Sequence, residues 1–119
     1  TWRSTVSADA EATLLGWILI DQAAAATSSH LDQHVLLDSP SAIAHSIPNL
    51  EINTNDVVAS HSATVGSLDP AALHYAASRG LDPTTAHALL VRGWLADALP
   101  AVPAAAIRAL LTQAITSPR

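Results

Sequence analysis

The stretch Gly66-Ser-Leu-Asp-Pro-Ala-Ala-Leu-His-Tyr-Ala-Ala-Ser-Arg-Gly-Leu-Asp-Pro83 decides how this chain is divided. Asp69 can accept hydrogen bonds from the first unpaired N–H groups of a helix. Pro70 behind it sits where a helix has no use for an N–H. Gly80, after Arg79, supplies a residue that readily takes the left-handed conformation ending such a helix. Asp82-Pro83 repeats the opening, and the helix that follows is expected to run to about Leu99 and stop before Pro100. Leu90 and Trp94 lie one helical turn apart, as do Val91 and Leu95. Pro103 is expected to open a third helix, where Ile107, Leu110, Leu111, Ala114 and Ile115 recur at helical spacing. Apolar stripes on the last two helices imply a small bundle or a docking surface.

Upstream of Gly66 the period changes. Thr13–Ile20, Val35–Leu37, Leu50–Ile52, Val57–Val58 and Ala63–Val65 read as short strands, separated by turn material such as Asp38-Ser39-Pro40 and Asn53-Thr54-Asn55-Asp56. In Leu50-Glu51-Ile52 the two apolar side chains share a face and the carboxylate points away. Strands this short and weakly amphipathic would not make an independent sheet, but they suit a solenoid in which each rung covers the next. The expected organisation is therefore β over 1–66 and α over 67–119.

Composition narrows the function. The chain has 119 residues, 50% of them hydrophobic but only 3% aromatic, with neither Phe nor Met. Alanine dominates the apolar content and contributes little area per residue, so the core needs regular stacking, a partner or more chain. Five basic residues against ten acidic ones give a net charge of −5, which argues against nucleic-acid binding. Without Cys there is no disulfide, thiolate nucleophile or Cys-ligated zinc. The best apolar run, Leu14–Ile20, falls well short of the roughly 18 residues of a membrane span. Asp9 and Glu11 stand where a secretory leader would need positive charge, so a cytoplasmic protein is expected. A chain opening on Thr1 is expected to be a piece of a longer one. Glycines at 16, 66, 80 and 93 form no phosphate loop, so ATP binding by this chain is not expected.

The run Asp56-Val-Val-Ala-Ser-His-Ser-Ala-Thr-Val-Gly-Ser-Leu-Asp69 resembles the SufB/SufD family of iron–sulfur cluster assembly proteins, SufD more than SufB. The likeness continues through Leu73-His-Tyr-Ala-Ala-Ser-Arg-Gly-Leu81 and Ala86-His-Ala-Leu-Leu-Val-Arg-Gly-Trp94. Upstream, Val35-Leu-Leu-Asp38 and Pro48-Asn-Leu-Glu-Ile52 fall at the family's intervals, so the resemblance covers roughly Gly16 to Leu99. It implies the end rungs of a right-handed parallel β-helix followed by a small C-terminal helical domain. It further implies a non-enzymatic scaffold that pairs with a SufB-like subunit and docks the SufC-type ABC ATPase. Any iron–sulfur cluster would be held transiently by the complex, with no cofactor bound tightly by this chain alone. Ala59 stands where many relatives carry Cys, Ala42 near a SufB-type Cys, and Ser62 where SufB-type members carry Glu. The departures point to the SufD-type partner.

Among six histidines, the resemblance singles out His61 for cluster assembly and as an iron ligand. Its second nitrogen would be oriented by Ser60 or Ser62. Read without the family, His61 is better explained as a turn histidine bonded to a solvent-side carbonyl; with the family motif the two readings stand even. His30 and His34 have a helical metal-site spacing within a segment that reads as turn or strand, where the spacing loses that meaning. His45 is expected in a solvated loop, and His74 and His87 at ordinary helix positions. Glu51 and Asp56 read as charged solenoid turns. Ser60-His61-Ser62 lacks the strained elbow of a hydrolase, and neighbours in sequence do not make a triad. Trp94 is expected to anchor the helical core, leaving Arg92 and Asp97 as exposed candidates for ATPase docking. The alternative reading is a stand-alone, homo-oligomeric interaction module without cluster chemistry. The isolated piece is expected to self-associate through its open strand edges.

Overall fold

A computed structural model describes residues 1–117. The chain forms two compact units, Thr1–Gly66 and Ser67–Arg119. The first contains β1 (Trp2–Val6), β2 (Glu11–Ile20), β3 (Thr27–Leu37), β4 (Ile43–Ile52) and β5 (Val57–Ser67).

These strands make two sheets, one ordered β1-β3-β5 and the other β2-β4. Trp2 lies parallel to Gln33 and Glu11 parallel to Ile43, so β1 and β2 pair with strands 31 and 32 residues further on. The turns stack in the same way. Asp38 N donates to Val6 O (2.8 Å), Ile43 N to Ala10 O (3.0 Å) and Asn53 N to Ile20 O (2.9 Å). Ala8 and Ala26 take positive φ values of 55° and 60°, which alanine rarely adopts. Both belong to stacked corners: Ser39 Oγ and Ser41 Oγ donate to Ala8 O, and Ala26 N donates to Asp56 O.

The strands of β2, β3 and β4 are ten or eleven residues long, well beyond the short runs expected. Along β2, even-numbered residues turn inward and odd ones outward without interruption. The core gathers Val6, Val35 and Ala42, with Ala12, Leu14, Leu37 and Ala44 against them. Small side chains suit this space. A Cβ on Gly16 would come within 2.6 Å of Gln33 Nε2 and 2.7 Å of Leu31 Cδ2, so β2 approaches β3 at contact distance. Gln33, only 2% exposed, accepts a hydrogen bond from Ser46 Oγ on β4 (3.2 Å). That bond satisfies a polar atom which burial would otherwise penalise.

The second unit holds α1 (Pro70–Ser78), α2 (Pro83–Ala96) and α3 (Ala105–Thr116). Asp69 Oδ1 accepts from Ala71 N (2.8 Å) and Asp82 Oδ1 from Thr85 N (3.0 Å), so both caps form as read from the sequence. Gly80, at φ 89°, follows α1 in the left-handed conformation. α2 stops at Ala96, short of the expected Leu99, where Ala98 N turns to Leu95 O in a tighter i→i−3 bond. A 3₁₀ turn, Leu99–Ala101, follows it. Pro103 stands outside α3, which begins only after the cap position Ala104. In this unit only Ala76 and Ala86 are buried among the described residues. Leu89, Ile107, Leu110 and Leu111 remain exposed.

The close approach at Gly16 makes a stability prediction. Gly16→Val should lower the unfolding free energy by about 1–3 kcal/mol, as overpacking does. Gly66→Ala, which has no atom within 4 Å of its added Cβ, should leave it nearly unchanged. Urea midpoints of the two variants check the contrast.

Candidate functional site

β5 is an edge strand of its sheet, and among the described residues the facing sheet has no third strand opposite it. No residue of β5 is fully buried. His61 lies mid-strand and exposed, not in a turn.

The residues on either side of His61 face the other way. Ser60 Oγ meets His30 Nδ1 at 2.5 Å, and Ser62 Oγ donates to Asp32 Oδ1 at 2.5 Å. Thr64 Oγ1 meets His34 Nδ1 at 2.7 Å. All three pairs join residues 30 apart. His30, Asp32 and His34 therefore line the outer face of β3, opposite Ser60, Ser62 and Thr64 on β5. Strand alternation turns His61 to the inward face, alongside Ala59 and Ala63. Ser60 and Ser62 consequently do not orient the His61 ring, contrary to the sequence reading. Their hydroxyls are engaged by β3.

Within this ladder His30 Nε2 also reaches Asp32 Oδ1 at 2.8 Å. The Ser62 hydroxyl, ahead of the nearby His30 and His34, holds the Asp32 carboxyl below its ordinary range against the opposing effect of burial. Thr1 Oγ1 donates to the other carboxylate oxygen at 3.4 Å. Ser60, His30 and Asp32 stand in the order of a nucleophile, base and acid. A hydrolase also needs a water-excluding cleft with donors aimed at an oxyanion. His30 and Ser60 lie exposed on an open sheet face.

Other histidines settle differently. His34 does share a face with His30, but through strand alternation over four residues. Among the described residues, no group of three or more His, Cys, Asp or Glu is placed to hold a metal ion. His45 belongs to β4, not to a loop, and its Nε2 lies 3.4 Å from Glu11 Oε1 on β2. Glu51 closes towards Asn53, whose Nδ2 donates to it at 3.3 Å. In α2, Arg92 is half-buried, where the sequence reading expected it exposed. Asp97 is exposed at the helix's C-terminal cap, and Trp94 is half-buried.

The sequence reading missed Asp32, Ser60, Ser62 and Thr64 as a unit. The signal was an alternation, His-x-Asp-x-His followed by Ser-x-Ser-x-Thr, legible only once a spacing of 30 residues is known.

The fold and site define a class: stacked parallel strands continued by a helical unit, with the polar residues on strand faces. The family model described as SUF system FeS cluster assembly, SufBD core domain, matches residues 1–94. The chain belongs to this family, which places it in iron–sulfur cluster assembly. The match takes in all five strands and α1 and ends at Trp94 within α2. A comparison with curated proteins finds no match. Among the described residues, no helix is long and apolar enough to cross a membrane.

Asp32 gives this site a pH dependence of known sign. A carboxyl with a lowered folded pKa stabilises the fold above its unfolded value of 3.8, and the contribution disappears as pH falls through the folded value. Asp32→Asn should therefore be less stable than the parent at pH 7. The gap should narrow once pH drops below 3.8. Thermal midpoints of both proteins from pH 7 down to about pH 3 measure it.

Proposed function

We propose that this chain is the C-terminal portion of a SufD-type scaffold. It supplies the last coils of a right-handed parallel β-helix and a helical unit that docks the SufC-type ATPase. The observation that carries this reading is the open last coil. β5 begins a third coil whose second strand is missing among the described residues, and it presents His61 on the uncovered side. A SufB-like subunit is the partner that would cover it. The chain itself catalyses nothing and works by holding its partners together.

The cluster is cargo in this scheme. Imidazole binds iron without adding negative charge, which suits a site that must release what it assembles. With no Cys in the chain, His61 is the residue that meets cluster iron at this coil. The ATPase meets the helical unit, where Leu89, Ile107, Leu110 and Leu111 are apolar and exposed and Asp97 adds a charge at the rim. Arg92, half-buried, lies on the same helix as Leu89. A homo-oligomeric module without cluster chemistry is the second reading. Its support is the exposed outer face of the β2-β4 sheet, where Trp17 is 65% and Leu15 73% accessible.

Co-purification of the full-length protein with the ATPase and a SufB-like subunit separates the two readings. In that complex, His61→Ala should keep the thermal midpoint close to the parent's, since surface changes usually stay within about 0.5 kcal/mol. It should also lower the iron content. Loss of stability in step with iron would make His61 structural, and full iron content would remove it from the site. Arg92→Glu should weaken ATPase binding with helix content unchanged. Unaltered affinity would take Arg92 out of the interface.

A further inference from the structure

A strand as exposed as β5 needs something to fix its register. Hydrophobic pattern usually does this, because a slip of one residue moves every side chain to the opposite face. In β5 that pattern is weak. Its inward positions carry Val57, Ala59, His61, Ala63 and Val65, none of them fully buried, and among the described residues no strand faces them. Nothing in this apolar set strongly penalises a strand turned the other way.

The polar ladder on the outer face does penalise it. His30–Ser60, Asp32–Ser62 and His34–Thr64 meet together only at a separation of 30 residues. A slip of one residue loses all three pairs and sends His61 outward. A slip of two keeps His61 inward but carries one member of the ladder past its partner, to Val58 or Gly66.

We infer that His30, Asp32 and His34 are positioning residues, a register lock on β3 that keeps His61 on the inward face of the last coil. Their partners Ser60 and Ser62 flank His61 directly, so the lock acts on the two peptide units that set its direction. Asp32 is the centre of the ladder. It accepts from Ser62, pairs with His30 and is only 21% exposed at its side chain. The importance of the lock to cluster assembly rests on the role proposed for His61; the lock itself does not.

Cysteine cross-linking reads the register directly. In the full-length protein freed of any other cysteine, Leu31→Cys should form a disulfide with His61→Cys. Both lie on the inward face at the ladder's separation of 30 residues. Leu31→Cys with Ser62→Cys should link poorly, because strand alternation places these two on opposite faces. Adding Asp32→Ala and His34→Ala should reduce the first link at least threefold relative to the second. Asp32→Asn, whose amide oxygen still accepts from Ser62, should restore most of it when His34 is kept. Circular dichroism checks that each variant is folded. A folded double-alanine variant that links as the parent does would overturn the lock.

Iron content of the assembled complex tests its consequence. If His61→Ala loses iron, the double-alanine variant should lose it too, and retention there would overturn the positioning role. If His61→Ala keeps its iron, the proposed function of His61 fails, and the cross-linking alone decides the lock.

Discussion

Parallel stacking across about one coil of chain is the constraint on which the β unit depends. β1 and β2 find their backbone partners 31 and 32 residues further along, β3 meets β5 through side chains 30 apart, and the corner hydrogen bonds span 30 to 33 residues. No strand here can be satisfied by its neighbour in sequence, as it would be in a hairpin. The small side chains of the core between the sheets follow from this geometry. Two sheets that approach as closely as β2 and β3 do at Gly16 leave room for Ala12, Ala42 and Ala44, but not for a lining of aromatic rings. The aromatics of this unit, Trp2 and Trp17, accordingly stand exposed.

The edge of the three-stranded sheet at β5 is its informative part. Among the described residues the sheet containing β5 has three strands and the facing sheet two, so the last strand has one strand neighbour and no strand opposite it. A chain held so lightly would be expected to fray or slip. The side chains compensate on the opposite face, where histidines and an aspartate of β3 engage three hydroxyls of β5. His61 lies on the face that the ladder leaves clear. Support and exposure are thus divided between the two faces of one strand.

What could be read from the sequence depended on how local each signal was. The Asp69 and Asp82 caps and the Gly80 stop act within a few residues, and all three form. The strands were underestimated because their partners are distant. Trp2–Val6 looks featureless until Gln33–Leu37 lies beside it. Ser28-Ser29-His30-Leu31-Asp32 reads as a turn until Ser60 and Ser62 supply its hydrogen bonds. Ala44-His45-Ser46-Ile47-Pro48 reads as a loop, yet it lies within β4. β4 belongs to a two-stranded sheet and so has an open edge, where proline is tolerated. His61 could be found only through the family motif, since its surroundings are made by residues 30 positions away.

On the function proposed above, the open edge at β5 is where the chain meets a SufB-like subunit. Amide hydrogen exchange over residues 57–67, compared between the free protein and the assembled complex, tests it most directly. Exchange there should be fast in the free protein and slow on assembly, while β1, at the opposite edge of the same sheet, changes little. Equal exchange of β5 in both states, with protection gained elsewhere, would contradict it.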